Sequence, residues 1–380
     1  MTSKICEKFG IDFPLFAFSH CRDVVVEVSK AGGFGVLGAA RITPEELERE
    51  LRWIDDHIDG HPYGVDLIVP NRMEGKDEQP SPEEVIALVP PEYKKFANDI
   101  LEAHDIDSSD ITDEMRAESL FLSNNTRFAG AQKLLQVAFS HPIKLIVNAL
   151  GVPPQIMLDM AKEHRVATGA LVGAKEHAIK QVQAGVDVLV VAGTEAGGHC
   201  GDVSTMVLVP EVHQAIQSHG DAFVLAAGGI VSGRQMAAAM AMGAAGAWCG
   251  SVWLTTVEAE TSPVIKEKML EASSRQTVRS RSRTGKFTRQ LRSAWTDAWA
   301  APDAPDPLPM PLQTVVTQPP LEKVTKLAES GHEGARQLAT YYVGQGVGLM
   351  NESRSTRQVV QEFREDFITG FELLSDAVDA

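Results

Sequence analysis

One imidazole in this chain stands at the end of a glycine-rich run. In Thr194-Glu195-Ala196-Gly197-Gly198-His199-Cys200-Gly201 the glycines can lie flat against a planar ligand. His199 at the far end has an unperturbed pKa of about 6.5, so it can take or give a proton near neutral pH. Downstream, Leu225-Ala226-Ala227-Gly228-Gly229-Ile230 reads as an apolar strand entering a Gly-Gly turn, with Ser232 and a helix behind it. Gly228 and Gly229 carry no Cβ, so backbone N–H groups there can approach an anion, and the helix N-terminus adds a favourable dipole. Gly246-Ala247-Trp248-Cys249-Gly250-Ser251 repeats the arrangement one strand later. Two such turns in succession read as a phosphate site.

These loops need a scaffold that presents them on one face. Short apolar runs at residues 15–18, 35–38, 63–68, 144–148, 165–171, 188–192, 224–227 and 247–250 read as strands, and amphipathic stretches lie between them. The helix predicted over residues 43–58 opens with Thr43 as N-cap, Pro44 at the first helical position and Glu46 three residues on, a capping box. Further helices are expected at 154–163, 174–184, 210–218 and 232–242. Eight strands alternating with helices predict an α/β fold, a (β/α)8 TIM barrel, whose loops after the last two strands are the common phosphate site. His20, just past the first strand, falls on the same face as His199.

Two segments interrupt the alternation. Residues 70–131 are polar and proline-punctuated and lie after the third strand, which makes them an insertion, read here as a lid over the functional face. Residues 258–342 follow the eighth strand and read as a mainly helical, substrate-covering subdomain. The expected organisation is therefore a barrel over 1–257, this subdomain, and a segment over 343–380 whose amphipathic helix returns to the barrel.

Composition narrows the function classes. The 380 residues hold 51 Asp and Glu against 35 Lys and Arg, a net charge of −16, which disfavours nucleic acid as a partner. Cys6, Cys21, Cys200 and Cys249 show no CxxC or zinc spacing, so no metal site is expected. Neither a signal peptide nor a membrane span is evident, and a cytoplasmic protein is expected. Seven cations at 275, 279, 281, 283, 286, 289 and 292 oppose the overall charge. They read either as a solvated face or as a site for the phosphates of coenzyme A or a carrier-protein surface.

The run TEAGGHCG, with LAAGGI and GAWCGS downstream, VSKAGGFGVLGA upstream and GQGVG near the C-terminus, resembles the FMN-dependent nitronate monooxygenases. The resemblance covers about residues 11–255, the insertion excepted, and EAGGH is its specific part. It implies FMN, with Gly197 and Gly198 along the isoalloxazine and Gly228 and Gly229 on the phosphate. Trp248, Cys249, Gly250 and Ser251 would hold the phosphate from the other side, and Asp66 on the third strand would reach the flavin or its ribityl chain. Ala17 and Phe18, at the end of the first strand, would lie beneath the flavin, and His199 matches the family's catalytic base. Three positions depart from the family pattern. Ala17-Phe18-Ser19-His20 replaces Ala-Pro-Met, Asp66 stands where Asn is usual, and Ala192 where Gln is usual.

The implied activity is oxidation of alkyl nitronates with O2 to a carbonyl compound and nitrite. The alternative within the same superfamily is an NAD(P)H-dependent FMN reductase of enoyl thioesters, favoured by the basic run and by Phe18 and Ala192. A non-catalytic FMN-binding module is a third reading. A homodimer is compatible with the sequence, which does not fix the oligomeric state.

Overall fold

A computed structural model describes residues 3–40, 42–70, 81–121 and 128–379. Eight parallel strands close a barrel: β1 Leu15–Ser19, β2 Phe34–Gly38, β3 Tyr63–Leu67, β4 Leu145–Asn148, β5 Ala167–Val172, β6 Val188–Ala192, β8 Phe223–Ala227 and β9 Gly246–Cys249. The barrel closes through Leu15, Phe16 and Ala17 of β1 set against Ala247, Trp248 and Cys249 of β9. Alternation along each strand divides the side chains into two layers. Phe16, Phe34, Val36, Leu145, Val147, Val188, Val190, Leu225 and Trp248 fill the interior. Their neighbours Leu15, Ala17, Leu189, Val191, Ala226, Ala247 and Cys249 pack outward against helices. The interior is a packed core whose upper rim alone is left for chemistry.

The predicted strands are all present, with boundaries that differ by at most two residues. Arg165 is in the left-handed conformation (φ 56°) and ends the helix Gln155–His164, so β5 starts after it. The helix Pro44–His57 carries the expected capping box, Thr43 Oγ1 accepting from Glu46 N and Glu46 accepting from Thr43 N. The helix expected from Pro210 begins five residues earlier, as Thr205–Ile216, with Pro210 inside it. A proline marks a first turn only where nothing upstream holds the free N–H groups. Here the Glu195 carboxylate does so.

Within the insertion, helices Pro82–Ala87, Pro91–Glu102 and Asp113–Phe121 share a hydrophobic core with the segment after β9. Residues 71–80 and 122–127 of the insertion lie outside the described residues. One contact explains the docking. Pro319 and Pro320 sit inside the helix Leu312–Glu329 and lack N–H groups, which frees the carbonyls four residues back. The buried Arg116 donates from one Nη1 to both, at 2.8 Å to Val315 O and 3.2 Å to Val316 O.

The segment after β9 is not wholly helical. Its basic run forms a hairpin, β10 Thr277–Ser280 and β11 Thr288–Leu291, turning near Gly285. β11 then pairs antiparallel with a two-residue strand, β7 Gly198–His199. The hairpin gave no alternating pattern because β11 is buried on both faces. The C-terminal helix Thr356–Asp379 returns to the barrel, where Val359, Val360 and Phe363 join the outer core.

Candidate active site

β6 ends at Ala192, and the chain enters the turn that carries the glycine run. Glu195 organises it: its Oε2 accepts from Thr205 N at 2.9 Å and from Thr205 Oγ1 at 3.0 Å, capping the helix Thr205–Ile216. Its backbone carbonyl accepts from Gln345 N at 2.9 Å, tying in the downstream glycine run. Gly197 packs there so closely that a Cβ would lie 2.8 Å from Gly344 N, so its need for glycine is loop-to-loop contact. Gly198 is different. At φ 76° a Cβ there would meet nothing within 4 Å, which leaves open space beside it.

His199 follows, opposite Thr288 of β11; the residue keeps a solvent-facing side while its ring leans on the hairpin. Nε2 lies 3.0 Å from Thr284 Oγ1, whose hydroxyl is in turn 3.4 Å from Lys286 O. If Thr284 donates to that carbonyl, Nε2–H donates to Thr284, and Nδ1 is the basic nitrogen. The protein packed around the ring lowers its pKa by desolvation, and the Lys286 charge lowers it further. The neutral imidazole is therefore the resting form at neutral pH.

The Gly-Gly turn after β8 is held at φ 104° for Gly228 and 70° for Gly229, a region L side chains rarely occupy. Gln235 braces it, donating from Nε2 to Gly229 O and accepting at Oε1 from Val231 N, both at 2.9 Å. The helix Gly233–Ala241 starts just behind, with Ser232 as its N-cap.

The matching turn after β9 is less uniform. Trp248 points into the barrel, stacked on Phe18 with centroids 6.2 Å apart, and Cys249 points outward into the helical layer. Cys249 O already accepts from Trp253 Nε1 at 2.7 Å. Gly250 and Ser251 are the half-buried members; Ser251 Oγ accepts from Gly344 N at 2.8 Å. The Trp248 and Cys249 side chains thus leave the turn for opposite faces of β9, and its surface consists of main chain and the Ser251 hydroxyl.

On the neighbouring strand β1, Ala17 is fully buried and faces outward, while Phe18 faces inward and meets the His20 ring edge-on at 5.1 Å. His20 Nδ1 lies 2.7 Å from Gly38 O, and Gly38 pairs with Asp66. Asp66 is 4% exposed and its Oδ1 has no hydrogen-bond partner. Ala192 pairs with Ala227 at the ends of β6 and β8 and adds no polar group.

The structure also shows what the basic run does. Arg289 is 7% exposed and donates from Nε to Thr194 O at 2.8 Å and from Nη1 to Thr277 Oγ1 at 3.2 Å, bolting the hairpin to the glycine loop. Arg281 donates to Gly285 O and Pro307 O, Arg283 lies over the Tyr342 ring at 4.4 Å, and Arg292 pairs with Asp297. Thr284, Glu195, Gln235 and Gln345 have no individual role in the sequence reading, and Arg289 enters it only as one cation of the basic run. Only Gln235 left a local signal, its place three residues after a serine N-cap.

No helix among the described residues is long and apolar enough to cross a membrane. Comparison with known proteins adds the following. A protein of Mycobacterium tuberculosis named as a monooxygenase is 50% identical over 372 residues, covering 97% of each chain. A Bacillus subtilis protein named as a nitronate monooxygenase is 25% identical over 355 residues, 90% of each chain. Among solved structures, nitroalkane oxidase from Streptomyces ansochromogenes superposes with a TM-score of 0.77 at 22% identity, covering 98% of this chain and 100% of that one. FabK from Thermotoga maritima superposes at 0.70 with 23% identity, covering 99% of both. At such identities the two superpositions speak for the barrel fold alone. The family model described as nitronate monooxygenase matches from residue 3 to residue 366, and with that match across the barrel and its appended segments, the chain belongs to the nitronate monooxygenase family.

Proposed function

We propose that this protein is an FMN-dependent nitronate monooxygenase that oxidises alkyl nitronates with O2 to a carbonyl compound and nitrite. The observation that carries the reading is the seating of His199: a neutral imidazole fixed at the barrel mouth by Thr284, next to the open face of Gly198. The residues present fit the cofactor. The positive-φ Gly228-Gly229 turn lies ahead of a helix, and an unpartnered Asp66 oxygen faces the barrel interior.

Gly228, Gly229, Gly250 and Ser251 would hold the phosphate, and Gly198, Phe18 and Asp66 would border the ring. When bound, FMN supplies the electron transfer between substrate and dioxygen. The chain's own contribution is acid–base and electrostatic. His199 Nδ1 takes the α-proton from a neutral nitroalkane, and the resulting N–H then donates a hydrogen bond to an oxygen of the nitronate. Thr284 fixes the ring's tautomer and direction, and the Lys286 charge favours an anionic substrate near the imidazole.

The enoyl-thioester alternative drew on the basic run. Arg279, Arg281, Arg283, Arg289 and Arg292 are committed to contacts within the protein, which leaves Arg275 and Lys286 for a phosphate. Anaerobic titration of the yellow protein decides between the two. Bleaching by propionate 3-nitronate and not by NADH or NADPH is the expected result; rapid bleaching by a nicotinamide alone overturns it, as does colourless protein that takes up no FMN.

A further inference from the structure

Asp66 is the one acidic residue of β3, and the strand's alternation turns it inward. Tyr63, Val65 and Leu67 pack outward among the helices Pro44–His57 and Phe128–Ser140, which leaves Gly64 and Asp66 facing the barrel interior. Its partners across the ladder are Gly38 on β2 and Val147 on β4, neither able to donate from a side chain. The titratable group that reaches this neighbourhood is His20, past the end of β1, and its Nδ1 is directed at Gly38 O. Oδ1 of Asp66 remains without a partner in an environment that gives the residue 4% exposure.

Asn148 on β4 shows the contrast. Its Oδ1 accepts from Val69 N at 2.9 Å and from Leu150 N at 3.3 Å, and its Nδ2 donates to Val69 O and Leu150 O. That amide is fully answered by the protein, whereas the Asp66 carboxyl is not. A buried carboxylate without a cation or donors loses solvation that nothing replaces, and such a group takes up a proton instead. Burial accordingly pushes Asp66 well above the usual carboxylate range, with no counter-charge among its causes.

We propose that Asp66 is present as the neutral carboxylic acid and donates its O–H to the heteroatom edge of the ligand held in the barrel mouth. The acid thus does what the family's amide would do by donation, with one difference: it loses its donor when it ionises. Taking FMN as that ligand rests on the function proposed above; the protonation state does not.

The test separates the two. Infrared spectra of flavin-free protein, parent minus Asp66→Asn, read the C=O stretch of a protonated carboxyl directly at neutral pH. Fluorescence quenching of added FMN then reads affinity from about pH 6 to about pH 10. The expected result is a protonated-acid band in the parent that Asp66→Asn lacks, with FMN affinity falling about tenfold across the range in the parent and staying level in the variant. Absence of that band at neutral pH overturns the proposal, and so does an identical pH dependence in parent and variant. If the amide variant fails to fold, Asp66→Ser supplies the same comparison. A protein that carries the band yet turns over no nitronate would fault the proposed function and leave the neutral acid standing.

Discussion

The carboxylate of Glu195 takes both the backbone N–H and the hydroxyl of Thr205, at 2.9 and 3.0 Å, so the loop after β6 is fastened to the start of the very helix it leads into. Removing it in Glu195→Ala frees the helix N-terminus and the loop together. Loss of a cap of this kind costs about 1–2 kcal/mol. Thermal melting should show that loss, and FMN affinity should fall with it; Glu195→Gln, which keeps an acceptor, should lie between parent and Ala.

His199→Asn keeps the size and polarity of the loop but removes the imidazole proposed as the base. Bound FMN and nitronate oxidation should persist, while turnover of neutral nitroalkanes should drop by about 10²–10⁴-fold. Steady-state assays on the two substrate forms check the split. Equal losses on both would assign His199 to binding instead of proton transfer.

The acid limb of neutral-nitroalkane turnover follows the same ring. Its pKa lies below the ordinary histidine value because of burial and then Lys286, so the active neutral form survives into mildly acidic solution. Lys286→Met withdraws one of those causes, the imidazolium becomes easier to form, and the limb should move to higher pH. A pH–rate profile that is unmoved sinks the assignment of Lys286 as the neighbouring charge.

Arg116→Met should be destabilising far from the mouth. It leaves the Val315 and Val316 carbonyls, already deprived of helix partners by Pro319 and Pro320, buried and unanswered. About 2–4 kcal/mol is expected, read by urea unfolding. Limited proteolysis should also cut the insertion sooner, since the docking of Asp113–Phe121 on Leu312–Glu329 loses its polar anchor.

Arg289 offers a last check on the hairpin. Arg289→Leu removes the donors to Thr194 O and Thr277 Oγ1 and should lower kcat/KM as the loop holding His199 loosens. FMN should still bind through the turns after β8 and β9. Unchanged kinetics would mean that the hairpin's backbone pairing alone is enough.

The barrel was legible because its strands are unbroken apolar runs such as Val188–Ala192 and its turns are marked by Gly228 and Gly229. Thr43 and Glu46 fixed a helix start by chemistry that acts over three residues. Long-range contacts left no such trace. The pairing of Gly198 with Arg289 joins positions distant in sequence, and β11 lacks the alternation that would expose it as a strand. Pro210 misled for a related reason, because the group that starts that helix is Glu195 in the loop before it. Trp248 and Cys249 sit side by side in sequence and point to opposite faces of one strand, a division that a motif read as a unit conceals.

His199 is carried by a three-stranded sheet whose other two strands come much later in the chain, and its ring partner Thr284 lies 85 residues downstream. A nascent polypeptide can thus complete all eight barrel strands while the imidazole still has nothing to lean on. The glycine loop gains its ring partner during synthesis only when the hairpin emerges and docks, so a ribosome stalled between the two would release a finished cylinder without a placed imidazole.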